Sequence, residues 1–464
     1  MLEKIFKLKE HNTDVKTEVI AGITTFIAMA YILVVNPNIL GNVMNPNGVF
    51  LATAFSSAIA TFIMAFLANY PIALSAGMGL NAYFAFTVCL GELSDVPNPF
   101  TIALTAVLVE GIIFILLSAF KFREAMINGI PQNLKYGITS GIGIFIAFIG
   151  LQGAGITVTD ATATINENGE AVVSSSTLLA LGDFATPEVV LAFVGFLIIV
   201  ILSHYKINGS VLLGIVITWI LGMIAEGIGW YKGVSVFPDV TNGLIHFSDL
   251  GDTAFRFNFE WVGSHLIQFI AIVFSFLFVD LFDTVGTVVG VADKANMLDE
   301  NGKLPRAGRV FMADAIGTTV GACLGTSTVT SFVESSAGVA VGGKTGLTSL
   351  VTGFLFLISV VLSPIFVAIP GFATAPALIY VGMLMFSSVI KIKFDDDVAD
   401  TASAYMATIM MPLTYSIANG IMFGIVTWVI AKLFTKKAKE ITPIMWAIFI
   451  LFALRIITLI AKFQ

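Results

Sequence analysis

The chain is short of charge. Of its 464 residues only 11% are Asp, Glu, Lys or Arg, against 57% hydrophobic residues, and its mean hydropathy is +0.95. A soluble domain carries roughly 25% charged residues, so this chain cannot cover a globular surface with polar groups, but it can cover one that faces lipid. Basic residues are scarcer than acidic ones, 23 against 30, for a net charge of −7. That excludes a nucleic-acid partner, which needs a basic face. Cysteine is nearly missing: Cys89 and Cys323 lie in apolar stretches without CxxC or Cys/His spacing, which excludes a disulfide framework and a metal site. The four histidines, His11, His204, His246 and His265, fall in loops or at helix ends, which argues against a proton relay built on them. No GxxxxGK[ST] loop cradles a nucleotide, and no nucleophile–base pair is present. These absences leave a membrane protein that is not an enzyme.

What the chain has in abundance is long apolar runs. Each crossing takes about 20 such residues. Runs occur at 18–40, 49–69, 75–90, 101–119, 134–153, 187–204 and 210–227, then at 264–290, 309–325, 327–342, 346–368, 370–390, 401–416 and 418–434. This predicts an all-α polytopic membrane protein with about fourteen transmembrane segments. A last stretch, 443–461, contains Arg455 and either spans or lies at the interface. The polar start, 1–17, shows no cleavable signal segment. Basic residues set the orientation. Lys4, Lys7, Lys9, Lys16, Lys121, Arg123, Lys135, Lys206, Lys294, Lys303, Arg306, Arg309, Lys344, Lys391, Lys393, Lys432, Lys436, Lys437 and Lys439 all fall on one side if the N-terminus is cytoplasmic. The loop 153–188, without Lys or Arg, falls on the other.

Seven segments per group, an odd number, turn the second copy upside down. The spacing agrees: 56 positions separate Thr25 from Asn81 and 54 separate Asp280 from Glu334. The third segment of each group, around Gly77–Tyr83 and Thr328–Gly338, is rich in Gly and Ser/Thr and makes a poor lipid-facing helix. An extended piece running into a half-helix is expected in each, tolerated only where protein or water satisfies its backbone. Inverted-repeat transporters bind substrate at such breaks, near the midplane.

Buried acids mark the candidate site. Asp280 and Asp283 are three apart and share one helix face. Glu334 sits at the start of a half-helix, where its side chain either caps the helix or accepts bonds from a ligand. Asn81 lies on the other broken segment. Thr25, Phe26, Gly79, Phe332 and Ser335 complete the candidate substrate-binding set, with Phe26, Tyr83 and Phe332 placed to stack on a planar ring. Three carboxylates, Asp280, Asp283 and Glu334, can grip a neutral, N–H-rich solute and carry protons. No Lys or Arg joins them, which counts against an anionic substrate. An anion exchanger on the same architecture, or a passive channel, stays open at this point. The run Asp395, Asp396 and Asp397 reads as a solvated cytoplasmic loop.

Four motifs in order then carry a family resemblance: Thr17–Phe26, Gly77–Ala82, Asp280–Thr287 and Val333–Gly338. Together they resemble the adenine/guanine/hypoxanthine permeases, a branch of the nucleobase–cation symporter (nucleobase/ascorbate transporter) superfamily. The resemblance runs from about residue 3 to 434. It implies two inverted repeats of seven, with short strands and half-helices in segments 3 and 10. It implies a core domain (18–120 and 262–368) facing a gate domain (121–230 and 369–434), flanked by 1–17 and by a C-terminal cytoplasmic segment with an extra helix, 435–464. It implies uptake of hypoxanthine and guanine, with adenine a further candidate, across the cell membrane by an elevator-like movement. It also implies a proton as coupling ion, with Na+ as the alternative, no other cofactor, and often a homodimer. The family's functional positions match Asn81, Asp280, Asp283 and Glu334. Where the wider superfamily often has Glu and a nearby His in segment 8, this chain has Asp283 and Thr287, which favours the purine branch over uracil or xanthine.

Overall fold

A computed structural model of the chain describes residues 2–119, 130–159, 162–165, 171–174, 179–238, 247–294, 297, 304–394 and 397–462. The readings on Lys121, Arg123, His246, Lys303, Asp395 and Asp396 lie outside them, as do the side chains of Lys294 and Arg455. Lipid offers no water to backbone groups, so the apolar runs fold as helices. In order they are α1 (Val15–Met29), α2 (Ile32–Leu40), α3 (Pro46–Ile63), α4 (Met78–Ala82), α5 (Pro99–Ala119), α6 (Gln132–Gly153), α7 (Pro187–His204) and α8 (Ser210–Gly227). The second half gives α9 (Leu266–Lys294), α10 (Ala307–Leu324), α11 (Ser335–Ala340), α12 (Gly346–Ser359), α13 (Gly371–Phe386), α14 (Val398–Leu413), α15 (Ile417–Phe434) and α16 (Pro443–Lys462). Among the described residues, nine spans are long and apolar enough to cross a membrane; the apolar stretches Leu266–Leu281 and Pro443–Ala453 are shorter.

The departures from plain helix that shape the site fall in the first, third and tenth runs. The first, expected at 18–40, breaks at Ala30 and Tyr31, where the N–H groups of Leu33 and Val34 reach back only to Ala30 and Tyr31. Pro37, inside α2, lacks the N–H that would bond the carbonyl of Leu33. The third run begins as strand β1 (Leu74–Ala76), enters α4, and then continues over Tyr83–Glu92 in the wider π winding rather than stopping as a half-helix. The tenth begins as β2 (Val329–Ser331) and ends in the short α11. β1 and β2 pair antiparallel, Leu74 with Ser331, Ser75 with Thr330 and Ala76 with Val329, one strand from each half of the chain.

Around this crossing α10 packs on α5 and α3, and α12 on α1 and α3. Separately, α6 packs on α13 and α14, α14 on α15, and α7 on α8 and α13. Small residues allow close approach. A Cβ on Gly143 would stand 2.6 Å from the carbonyl of Gly382, and one on Gly382 2.4 Å from that of Gly143. Glu18 of α1 is fully buried. It accepts from the backbone N–H groups of Lys344, Thr345 and Thr348 at 2.9, 3.2 and 3.2 Å, placing a carboxylate on the positive end of α12. The last helix, α16, packs on α15. Its Phe452 also meets Phe274 and Phe278 of α9, at ring centroids 5.5 and 6.1 Å.

Asp397 is not a solvated loop residue. It caps α14 through the N–H of Ala399 at 2.9 Å. It also meets Lys432 at 2.6 Å and Lys437 at 2.9 Å. Lys432 is 2% exposed and also contacts Glu440 at 2.6 Å. Lys432, with Lys437 and the Ala399 N–H, holds the Asp397 carboxyl well below the usual carboxylate range. A depressed carboxyl contributes stability that is complete above its ordinary value, near 3.8, and is lost as pH falls below it. Removing Lys432 takes the shorter of two ammonium contacts from the largely covered Asp397, while Lys437 and the Ala399 N–H remain and Glu440 is exposed and screened, so Lys432→Met should cost on the order of 2 kcal/mol. In a detergent melt we expect Lys432→Met to lower the midpoint by several degrees at neutral pH and to flatten its fall on acidification; an unchanged melt at both pH values would refute the role.

Candidate functional site

The site is built on the strand crossing. Three consecutive hydroxyl residues precede β2, and each joins a different element. Asn36 of α2 donates to Thr326 at 2.9 Å, Ser327 donates to Asn81 of α4, and Thr328 donates to Glu110 of α5 at 2.9 Å. All six side chains are fully buried. The crossing is closed at its ends by Gly77 N–H on the carbonyl of Thr328 and Phe332 N–H on that of Ala73, both 3.0 Å.

Two of the predicted acids reach this crossing. Asp283 of α9 accepts from Thr330 of β2 at 3.1 Å, and its charged neighbours are Asp314 and Glu334. Glu334 precedes α11 and does not cap it; its Oε1 accepts from the hydroxyl of Tyr31 at 2.5 Å. Both Asp283 and Glu334 keep partial access to solvent. Asp280 does not: it is fully buried and accepts from Thr284 at 2.9 Å. The same Thr284 oxygen lies 3.0 Å from Asp314 of α10. A shared helix face therefore places the aspartates side by side but gives them different partners.

The remaining candidates are mostly packed in. Thr25 is fully buried against Gly338, whose Cβ would fall 2.0 Å from the Thr25 hydroxyl. Ser335 is fully buried, and its oxygen accepts from Ala73 N–H at 3.0 Å. Phe26 keeps partial exposure but turns its ring on Phe356, centroids 5.3 Å apart. Phe332 is 5% exposed and Tyr83 is buried edge-on against Phe276. Gly79 faces Ile142 of α6, 3.0 Å from where its Cβ would be. Asn81 ties α4 to Ser327 rather than to Asp283.

Sequence reasoning passed over Tyr31, Glu110 and Asp314. Glu110 and Asp314 carried a readable signal, since each is an ionisable residue inside an apolar run. Tyr31 carried a weaker one: a tyrosine in mid-run, away from an interface, needs a hydrogen-bond partner. Gly77 is closer to the chemistry than Gly79, because its Cβ would meet Thr330 at 2.8 Å and Asp283 at 3.4 Å.

Comparison with known proteins decides what carries this site, because the permease family matches residues 16–423. The chain belongs to that family. It is the nucleobase/ascorbate transporter family of the resemblance, a family of transporters and not enzymes. The chain is 42% identical over 461 residues to the guanine/hypoxanthine permease PbuO of Bacillus subtilis, covering 98% of this chain and 100% of that one. It is 40% identical over 458 residues to the adenine permease AdeP of Escherichia coli, covering 98% and 96%. Among solved structures it is similar to SLC26A9, with a TM-score of 0.65 at 14% identity, over 92% of this chain and 66% of that one. It is also similar to the transmembrane domain of the cyanobacterial bicarbonate transporter BicA, with a TM-score of 0.62 at 14% identity, over 87% and 97%. These likenesses establish the inverted-repeat fold, and the family member is a multi-pass membrane protein.

Two glycines separate packing from the site. Overpacking costs about 1–3 kcal/mol. Gly77→Ala puts a methyl 2.8 Å from Thr330 Cγ2 and 3.4 Å from Asp283 Oδ2, whereas Gly79→Ala meets the Cγ2 methyl of Ile142 at 3.0 Å, with Ile417 and Ile146 at 3.8 and 3.9 Å. In detergent melts Gly77→Ala should therefore be the more destabilised; equal midpoints would refute this reading of the crossing.

Proposed function

We propose that the chain takes up purine nucleobases, hypoxanthine and guanine with adenine a further candidate, across the cytoplasmic membrane together with protons. The observation that carries this is the pair Asp283 and Glu334, two partly accessible carboxylates beside the strand crossing, neither joined by a Lys or Arg among the described residues. Carboxylates accept N–H donors, and the edge of a purine ring supplies them. The relatives named for guanine, hypoxanthine and adenine support the same substrate class. Glu334 bonds ring N–H groups, and Asp283 grips the opposite edge or carries the proton. Asp280 tunes Asp283 from one turn away, and Asn81 ties the two broken segments together through Ser327.

In this reading α1–α5 and α9–α12 form a core that carries the site, and α6–α8 with α13–α15 form the gate against which it moves, elevator-fashion. The N-terminus is cytoplasmic. A proton is the coupling ion, and Na+ is the alternative. An anion exchanger shares the fold, as BicA is titled a bicarbonate transporter. Two carboxylates with acidic neighbours are a poor seat for an anion.

The test is uptake of labelled hypoxanthine by cells lacking their own purine permeases, with unlabelled guanine, adenine, xanthine, uracil and sulfate as competitors, with and without an uncoupler. We expect saturable uptake that guanine competes and the uncoupler abolishes. Glu334→Ala should reach the membrane and transport nothing. Competition by sulfate alone, or full uptake by Glu334→Ala, overturns the reading.

A further inference from the structure

Tyr31 is fully buried in the protein interior. It stands at the break between α1 and α2, where the backbone leaves regular winding and turns the side chain toward the other half of the protein. Its hydroxyl donates to Glu334 Oε1 at 2.5 Å, across 303 positions of sequence. Asp283 also lies within electrostatic reach of that hydroxyl, but only Glu334 is bonded to it. The pairing is fixed by packing. α11 lies on α1 so closely that a Cβ on Gly338 would stand 2.6 Å from the carbonyl of Ala21. That packing brings the chain segments carrying Glu334 and Tyr31 together.

A carboxylate whose one oxygen is held by a phenol offers a ligand chiefly the other. A single oxygen suits a single N–H, whereas two free oxygens suit two adjacent N–H donors, as in bidentate recognition generally. Hypoxanthine presents one N–H on the edge beside its carbonyl. Guanine presents two on the corresponding edge, the ring N–H and the exocyclic amine. We propose that Tyr31 is a specificity-determining positioning residue: by reserving Oε1 of Glu334 it restrains the preference for guanine over hypoxanthine. This rests on the reading that Glu334 bonds the purine edge.

The experiment uses the full chain in membranes and measures inhibition of labelled hypoxanthine binding by unlabelled guanine and by unlabelled hypoxanthine. Tyr31→Phe keeps the ring and removes the donor. It should shift the ratio of the two inhibition constants toward guanine by about tenfold, the weight of one charge-assisted hydrogen bond. A merely structural tyrosine would lower the amount of active protein and leave the ratio alone, so an unchanged ratio overturns the proposal. Should Tyr31→Phe fail to insert, 3-fluorotyrosine at position 31 strengthens the donor at constant shape. It should move the ratio toward hypoxanthine, and a fixed ratio again overturns the proposal. Glu334→Gln separates the two ideas. If it abolishes binding while the Tyr31 ratio stays fixed, only the role of Tyr31 falls; if it leaves binding intact, the reading of Glu334 itself falls.

Discussion

Two short strands with open edges lie inside a membrane protein, and the surrounding structure answers to their unpaired backbone groups. Lipid cannot satisfy an exposed N–H or carbonyl, and each one left bare costs several kcal/mol. β1 and β2 satisfy each other along one edge. Their outer edges are met by hydroxyls. Thr61 of α3 both accepts from Leu74 N–H at 3.0 Å and donates to its carbonyl at 3.2 Å. Thr318 of α10 donates to the carbonyl of Val329 at 2.9 Å. Once α3 and α10 are needed to close the strand edges, their packing against each other, and that of α5 and α12 around them, follows.

The same burial sorts the acids. A carboxylate buried without partners is costly, so each one here has been given hydroxyls: Thr284 for Asp280, Thr330 for Asp283, Thr328 for Glu110 and Tyr31 for Glu334. Hydroxyls satisfy a charge without neutralising it. That leaves the remaining acceptor positions of the two partly accessible acids open to a further neutral donor, which a salt bridge would block. The contrast with Lys432 is direct: there, three acids and a buried ammonium form a fixed joint near one end of α15.

Much of the fold was legible because its signals are local. Apolar run length marks helices, an odd count per half marks inversion, and Gly with Ser/Thr marks the two broken segments. Asp280, Asp283 and Glu334 were legible as ionisable residues inside apolar runs. What stayed hidden depends on distant pairing. The i, i+3 spacing of Asp280 and Asp283 says that they are neighbours, but not that one turns to α10 and the other to β2. Phe26 and Tyr83 read as ring-stacking candidates because aromatics near acids look alike in sequence, and only packing shows that Phe356 and Phe276 already occupy them. Tyr31 gave little periodic signal, since its partner lies in the opposite half of the chain. The helix break at which it stands lies six residues before Pro37, where a sequence reading would not place the stop.

The three hydroxyls of Thr326, Ser327 and Thr328 have a consequence for how this protein can vary. Each faces a different element, and the strand that follows alternates its side chains with a period of two. Deleting or inserting one residue between Gly325 and Val329 would rotate every later side chain to the wrong face. Asn36, Asn81 and Glu110 would then meet the wrong neighbours together. The three pairings together fix the number of residues between Gly325 and Val329, so this stretch acts as a ruler for the elements around it.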